Sequence, residues 1–279
     1  MNRSNDWRTF WHDNLEFRHL MNRSDWKNYW EGQADRSGSD FEFDRGTCPR
    51  SKEVETCSSR ELLDFIEPQP WEVIFDAGCG TGVNILLLHS KVKRIIGMDY
   101  SEGAMARCKR RILSNKIENV ELIHGDITHV PIADNSVDKI LGMSVLQYLN
   151  DVEVRSLLGE FVRILKDQGT VILHVKNISS LYLSTLWVAK KLKILLGSKT
   201  RLEHFRSYSW YARQLKSFGF EVVNYNSFNL FVIESMPKRL LQFFQRLELE
   251  HYNKFPMRIA FLRRHGSELK IKARVTKTH

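Results

Sequence analysis

The chain has 279 residues, of which 42% are hydrophobic and 27% charged, the balance of a soluble α/β domain with extensions that buries a sizeable core. The longest apolar stretch, 181 to 189, stops at Lys190 and Lys191 and is too short to span a bilayer, and the polar start lacks the apolar core of a signal peptide. Cys48, Cys57, Cys79 and Cys108 show no paired CxxC spacing, so a disulfide framework is excluded and all four read as reduced thiols of a cytoplasmic protein.

The formal charge is +9, and eleven Lys and Arg against three Asp and Glu beyond residue 235 place +8 in the last 44 residues. Such a region is either a solvated face or one that attracts phosphate or anionic lipid.

Residues 1–45 contain a near-repeat. The stretch from Met1 to Trp11 is echoed from Met21 to Trp30, and each copy sets aromatic residues at i, i+3 and i+4 behind an Asp. This spacing predicts two short helices that pack on the following domain or cover a pocket as a lid. The domain proper is assigned to 46–279. A helix is expected from Glu53 to Ile66, ended by Pro68 and Pro70. Apolar runs then alternate with helical spacers: Val73 to Asp76, Arg94 to Asp99, Val120 to His124, Asp138 to Gly142 and Thr170 to Val175. Strands this apolar predict a parallel sheet covered by helices on both faces, which the strands expected at 221–225 and 268–276 complete as a doubly wound, seven-stranded, mostly parallel sheet.

Beyond Val175 the pattern changes. Residues 181–196 read as an amphipathic helix with Leu181, Val188, Leu192 and Leu195 on one face, and residues 240–247 repeat the theme. From Trp210 to Tyr225 the expectation is helix, a Gly219 cap, then a strand from Glu221. Residues 226–267 exceed what a sheet connection needs and are read as an acceptor-pocket insertion. Residues 268–276 are the expected antiparallel closing strand.

The chemistry concentrates in FDAGCGTG at 75–82. Gly78, Gly80 and Gly82 form a turn after the first strand that lets a ligand approach the backbone, and Asp99 follows at the end of the second strand. Such a turn with such an acid is shared by nicotinamide, flavin and S-adenosylmethionine sites. Three acids narrow the choice. Asp76 stands where it faces an ammonium better than a pyrophosphate, Asp99 is placed to accept ribose hydroxyls, and Asp126 offers an acceptor to an adenine amine.

These residues, with IIGMDYSEGAM (95–105), HGDITHVPIADNSVDKILGMSVLQYL (124–149), FVRILKDQGTVILHVKN (161–177) and LKSFGFEVV (215–223), resemble the class I S-adenosylmethionine-dependent methyltransferases. The likeness is to the broad small-molecule group that includes the ubiquinone-type, methyltransferase type 11-like enzymes. It covers roughly residues 60 to 225 in family order and implies a Rossmann-like methyltransferase fold. It also implies S-adenosylmethionine as cofactor, bound at its methionine end by Asp76, Gly78, Gly80 and Gly82. Asp99 and Tyr100 would take ribose and adenine, Asp126 and Ile127 the adenine, and Met143 would line the floor. The turn at Lys166, Asp167, Gln168 and Gly169 departs from the family's Lys-Pro-Gly-Gly.

Methyl transfer gains chiefly from alignment, so a base is optional, yet a hydroxyl acceptor must lose a proton. His204, in EHFRSY, and His174, in the fifth strand, are the candidate bases, and Tyr148 is a candidate shaper of the acceptor site. No metal-ligand spacing is seen. The expected function is methyl transfer to a small or lipid-linked metabolite, with peripheral contact at the inner membrane surface and no nucleic-acid partner. An RNA methyltransferase and a non-catalytic S-adenosylmethionine-binding regulator are the alternatives.

Overall fold

The computed structural model describes residues 23–36, 52–196, 203–228 and 264–277. Helix α1 (Arg23–Arg36) precedes α2 (Lys52–Ile66), which leads into β1 (Val73–Ala77), α3 (Val83–Leu88), β2 (Arg94–Asp99), α4 (Glu102–Ser114) and β3 (Val120–His124). Then come β4 (Val137–Met143), α5 (Asp151–Ile164), β5 (Leu165–Lys176), α6 (Leu181–Leu195), α7 (Tyr208–Ser217), β6 (Phe220–Phe228) and β7 (Glu268–Val275). The seven strands form one sheet in the order β3-β2-β1-β4-β5-β7-β6. β7 runs antiparallel to both its neighbours, while the pairs among β1 to β5 are parallel.

Successive side chains on a strand point to opposite faces, and this sheet buries both. Ile74, Ile95, Leu141 and Ile172 pack with Ile66, Ile85, Cys108 and Ile112 on one face. Phe75, Ile96, Ile140 and Val171 pack with Leu157, Phe161, Tyr211 and Leu215 on the other. The helices start where short polar side chains cap them. Ser101 accepts from the Ala104 amide at α4, and Ser207 from the Trp210 amide at α7. At α5, Asn150 and Glu153 form a reciprocal capping box.

At the far end of the sheet from the carboxyl ends of its parallel strands, the buried Lys139 ammonium lies 2.6 Å from Glu72 Oε1 and donates to the Glu67 carbonyl at 2.7 Å. A charge this deep is tolerable only because it is paired and hydrogen-bonded.

The second and third strands fall on the residues the apolar runs predict. β5 begins five residues earlier, because Leu165 already pairs with Val137 across a register shift in β4. The departure from Lys-Pro-Gly-Gly is absorbed locally: Gln168 takes a left-handed φ of 59°. Helix α6 forms as expected, but Leu181, Val188 and Leu192 of its apolar face are exposed while Leu183 is buried. Of the aromatic repeat, the second copy is helical from Arg23, and the first copy lies outside the described residues. So do most of the 226–267 insertion and the helix expected at 240–247.

Candidate active site

The strand order reverses between β1 and β4, and the loops leaving the carboxyl ends of strands at such a point form a ligand crevice. The glycine turn lies there. The Gly78 and Cys79 amides both donate to the Met98 carbonyl, at 2.8 and 3.0 Å, which pins the turn to β2. Gly78 has φ 76°, and a Cβ on it would come 2.8 Å from Val145 Cγ2, so no larger residue fits between β1 and the loop after β4. Gly80 has φ 52°, and among the described residues a Cβ there would meet nothing within 4 Å, so its backbone faces open space.

Asp99, at the end of β2, accepts from the Gly80 amide with Oδ2 and from the Ser101 amide with Oδ1, both at 2.9 Å. Burial raises its pKa, while those backbone donors oppose the rise. Asp76 is 1% exposed and accepts from Asn84 Nδ2 at 3.2 Å. Burial pushes its carboxyl up to about 7, the Asn84 hydrogen bond opposes this, and nearby Asp99 adds to it. A buried carboxyl beside a backbone turn suits a ligand ammonium, so these residues fit the methionine end of S-adenosylmethionine.

Asp126 follows β3 and binds its own turn, with Oδ1 accepting from the Thr128 amide and hydroxyl at 2.8 Å, next to the buried Ile127. His124 bonds the Tyr100 carbonyl at 3.0 Å and so ties the end of β3 to the residue after Asp99. Met143 closes β4 opposite His174 and packs against the cluster that contains Cys79. The cofactor residues read from sequence therefore gather along one edge. Among the described residues, no group of three or more His, Cys, Asp or Glu could hold a metal ion.

The candidate acceptor residues bracket the segment after β4. Ser144 Oγ lies 3.1 Å from His174 Nδ1, and His174 Nε2 lies 2.9 Å from Glu268 Oε2. At the other end of the segment, the His204 amide donates to the Gln147 carbonyl at 2.8 Å. The buried Arg206 locks this arrangement by donating to the Leu146 and Leu149 carbonyls at 3.1 and 2.7 Å and to Asp151 at 2.8 Å. The Tyr148 ring meets Trp26 at 4.6 Å and Trp30 at 5.6 Å, both from α1. Burial raises the Tyr148 pKa further above its already high ordinary value, so the phenol stays protonated.

Helix α1 is fastened at a second point. Glu31 accepts from the Glu102 amide at 2.7 Å and the Gly103 amide at 3.0 Å, capping the start of α4 beside Asp99. Ser144, Arg206, Glu268 and Glu31 were not singled out from the sequence.

This sheet order, with a glycine turn at its reversal and acids at the ends of β1 and β2 and just after β3, is that of the Rossmann-like methyltransferase fold. Residues 74–169 match the family described as a methyltransferase domain. Demethylmenaquinone methyltransferase from Clavibacter sepedonicus is 32% identical over 108 residues, which cover 39% of this chain and 42% of that one. Phosphoethanolamine N-methyltransferase 1 from Haemonchus contortus, solved with phosphoethanolamine and S-adenosylhomocysteine, superposes with a TM-score of 0.62 at 17% identity, covering 95% of this chain and 52% of that one. Geranyl diphosphate C-methyltransferase from Streptomyces coelicolor A3(2) gives a TM-score of 0.58 at 16% identity, covering 90% and 97%. The matched stretches span about two fifths of the first curated relatives' length, 38% and 42%.

Proposed function

We propose that the protein transfers a methyl group from S-adenosylmethionine to a small metabolite held above the carboxyl ends of β4 and β5. The observation that carries this reading is the buried Asp76 carboxyl beside the open face of Gly80. S-adenosylmethionine supplies an electrophilic methyl on a sulfonium. Asp76 binds the ammonium, Asp99 the ribose hydroxyls, and the Gly80 backbone lets the chain of the ligand pass. Ile127 and Asp126 offer an apolar contact and an acceptor to the adenine. Tyr148, kept protonated by burial, acts as a wall rather than a base.

Helix α1 is proposed as the lid over this pocket, since Glu31 fastens it beside Asp99 and Trp26 and Trp30 fasten it to Tyr148. A closed lid excludes water and holds donor and acceptor in line, from which methyl transfer draws much of its rate. A thermal-denaturation series with S-adenosylhomocysteine tests the reading. Binding to the folded state alone stabilises by about 2.7 kcal/mol at a hundred times Kd, so the midpoint should climb steadily with ligand. A flat series would refute it.

A second reading concerns where the acceptor resides. Leu181, Val188 and Leu192 lie on one exposed face of α6, which supports contact with a membrane surface and a lipid-linked acceptor. Among the described residues no helix is long and apolar enough to cross a membrane.

A further inference from the structure

A hydrogen-bonded line crosses the sheet edge beside the proposed cofactor site, from Ser144 after β4 through His174 on β5 to Glu268 at the start of β7. Glu268 is buried, and its second oxygen accepts from Lys176 Nζ at 2.8 Å. Burial works to raise its pKa, but Lys176 and His174 outweigh it and hold the carboxyl well below the usual range. The carboxylate can only accept, so His174 Nε2 must carry the hydrogen of that bond. In the neutral imidazole Nδ1 is then the lone-pair nitrogen, to which the Ser144 hydroxyl at 3.1 Å donates.

Ser144 is held for this task. Its φ is 57°, a left-handed conformation unusual for a residue with a Cβ, and its amide donates to the His174 carbonyl at 2.8 Å. The hydroxyl is half-buried at the carboxyl end of β4, the strand next to β1 and its glycine turn. Having given its proton to the imidazole, the oxygen keeps lone pairs for an incoming donor.

We propose that Ser144, His174 and Glu268 form a proton relay that deprotonates a hydroxyl acceptor, so that this domain is an O-methyltransferase. The inference rests on the methyl-transfer reading above. The acceptor O–H donates to Ser144 Oγ. As the acceptor oxygen bonds the methyl carbon, the carbon–sulfur bond breaks and its electron pair stays on sulfur. The acceptor proton passes to Ser144 Oγ while the serine's own proton passes to His174 Nδ1. Glu268 stabilises the imidazolium, which later releases its proton to water. Glu268 is a positioning residue, fixing the tautomer that makes Nδ1 the acceptor. Among the described residues, the other charges around the ring are Lys176 on β5 and Lys270, opposite His174 on β7 and 3.6 Å from Glu61 of α2.

The test incubates the full chain with a metabolite extract of its native host and S-adenosylmethionine carrying a ¹³C-methyl group, and reads the label by carbon NMR, in which O-, N- and C-methyl carbons separate. The relay requires an O-methyl signal. His174→Gln and Ser144→Ala should each slow its formation by about a hundredfold or more, the scale of general-base catalysis, while S-adenosylhomocysteine affinity holds within twofold. Glu268→Gln should move the acid limb of the rate profile to lower pH. Independently of turnover, ¹⁵N-histidine spectra should show His174 protonated at Nε2 in the wild type. An N- or C-methyl signal, no labelled product, an Nε2 without its proton, or wild-type rates in Ser144→Ala would each overturn the relay. Loss of S-adenosylhomocysteine binding by the wild type would instead overturn the methyl-transfer reading beneath it.

Discussion

The Asp99 carboxylate, at the end of β2, accepts from the Gly80 amide at 2.9 Å, so the acid proposed to bind the ribose also holds the turn proposed to bind the rest of the ligand. Asp99→Ala therefore loses two things at once. Charge-assisted hydrogen bonds contribute about 1.5–3 kcal/mol, and S-adenosylhomocysteine affinity should fall by at least tenfold. Asp99→Asn keeps one acceptor oxygen and should fall less. Titrations followed by tryptophan fluorescence would measure both, and equal affinities for the two variants would remove the dual role.

Asp76 links binding to pH. Its folded pKa of about 7 lies above the ordinary 3.8, so between those values the folded chain holds the extra proton. Stability from this group is complete below about pH 4, declines as pH rises towards 7, and is flat above; the cost is of order 4 kcal/mol. Asp76→Asn should accordingly raise the melting temperature at pH 8 more than at pH 5.5. The same change should abolish the tightening of S-adenosylhomocysteine affinity expected between pH 6 and 8. Calorimetry at the two pH values checks both signs together.

For the lid, the double variant Glu31→Ala with Trp26→Ala removes an anion from the start of α4 and an aromatic contact from Tyr148. Together these contribute about 1–2 kcal/mol, so S-adenosylhomocysteine should dissociate roughly tenfold faster in stopped-flow measurements. Unchanged dissociation would make α1 a packing element only.

The exposed face of α6 gives a separate outcome. Flotation with anionic vesicles should recover the protein at low salt, and Val188→Asp with Leu192→Asp should release it. Recovery only in the soluble fraction would leave α6 without a membrane role.

The sheet was largely legible because its central strands are mostly buried and therefore mostly apolar, and the run from Arg94 to Asp99 could be bounded to the residue. β5 was bounded less well because Lys166, Asp167 and Gln168 interrupt the pattern where pairing, not burial, extends the strand. The glycine turn and its acids were legible because they are local in sequence. The line from Ser144 to Glu268 was not: its two hydrogen bonds join residues 30 and 94 positions apart, and only the antiparallel insertion of β7 beside β5 brings Glu268 to His174. Glu31 reaches the start of α4 across 71 positions, with no local pattern to announce it.

What occupies the space before Gly80 separates a methyl-donor site from a dinucleotide site. Isothermal titration of the full chain with S-adenosylhomocysteine, and in parallel with a nicotinamide dinucleotide, measures this directly. It should give saturable one-to-one binding of S-adenosylhomocysteine, weakened at least tenfold by Asp99→Ala, and no heat with the dinucleotide. Preference for the dinucleotide, or no binding of S-adenosylhomocysteine by folded protein, would contradict a methyl-donor site.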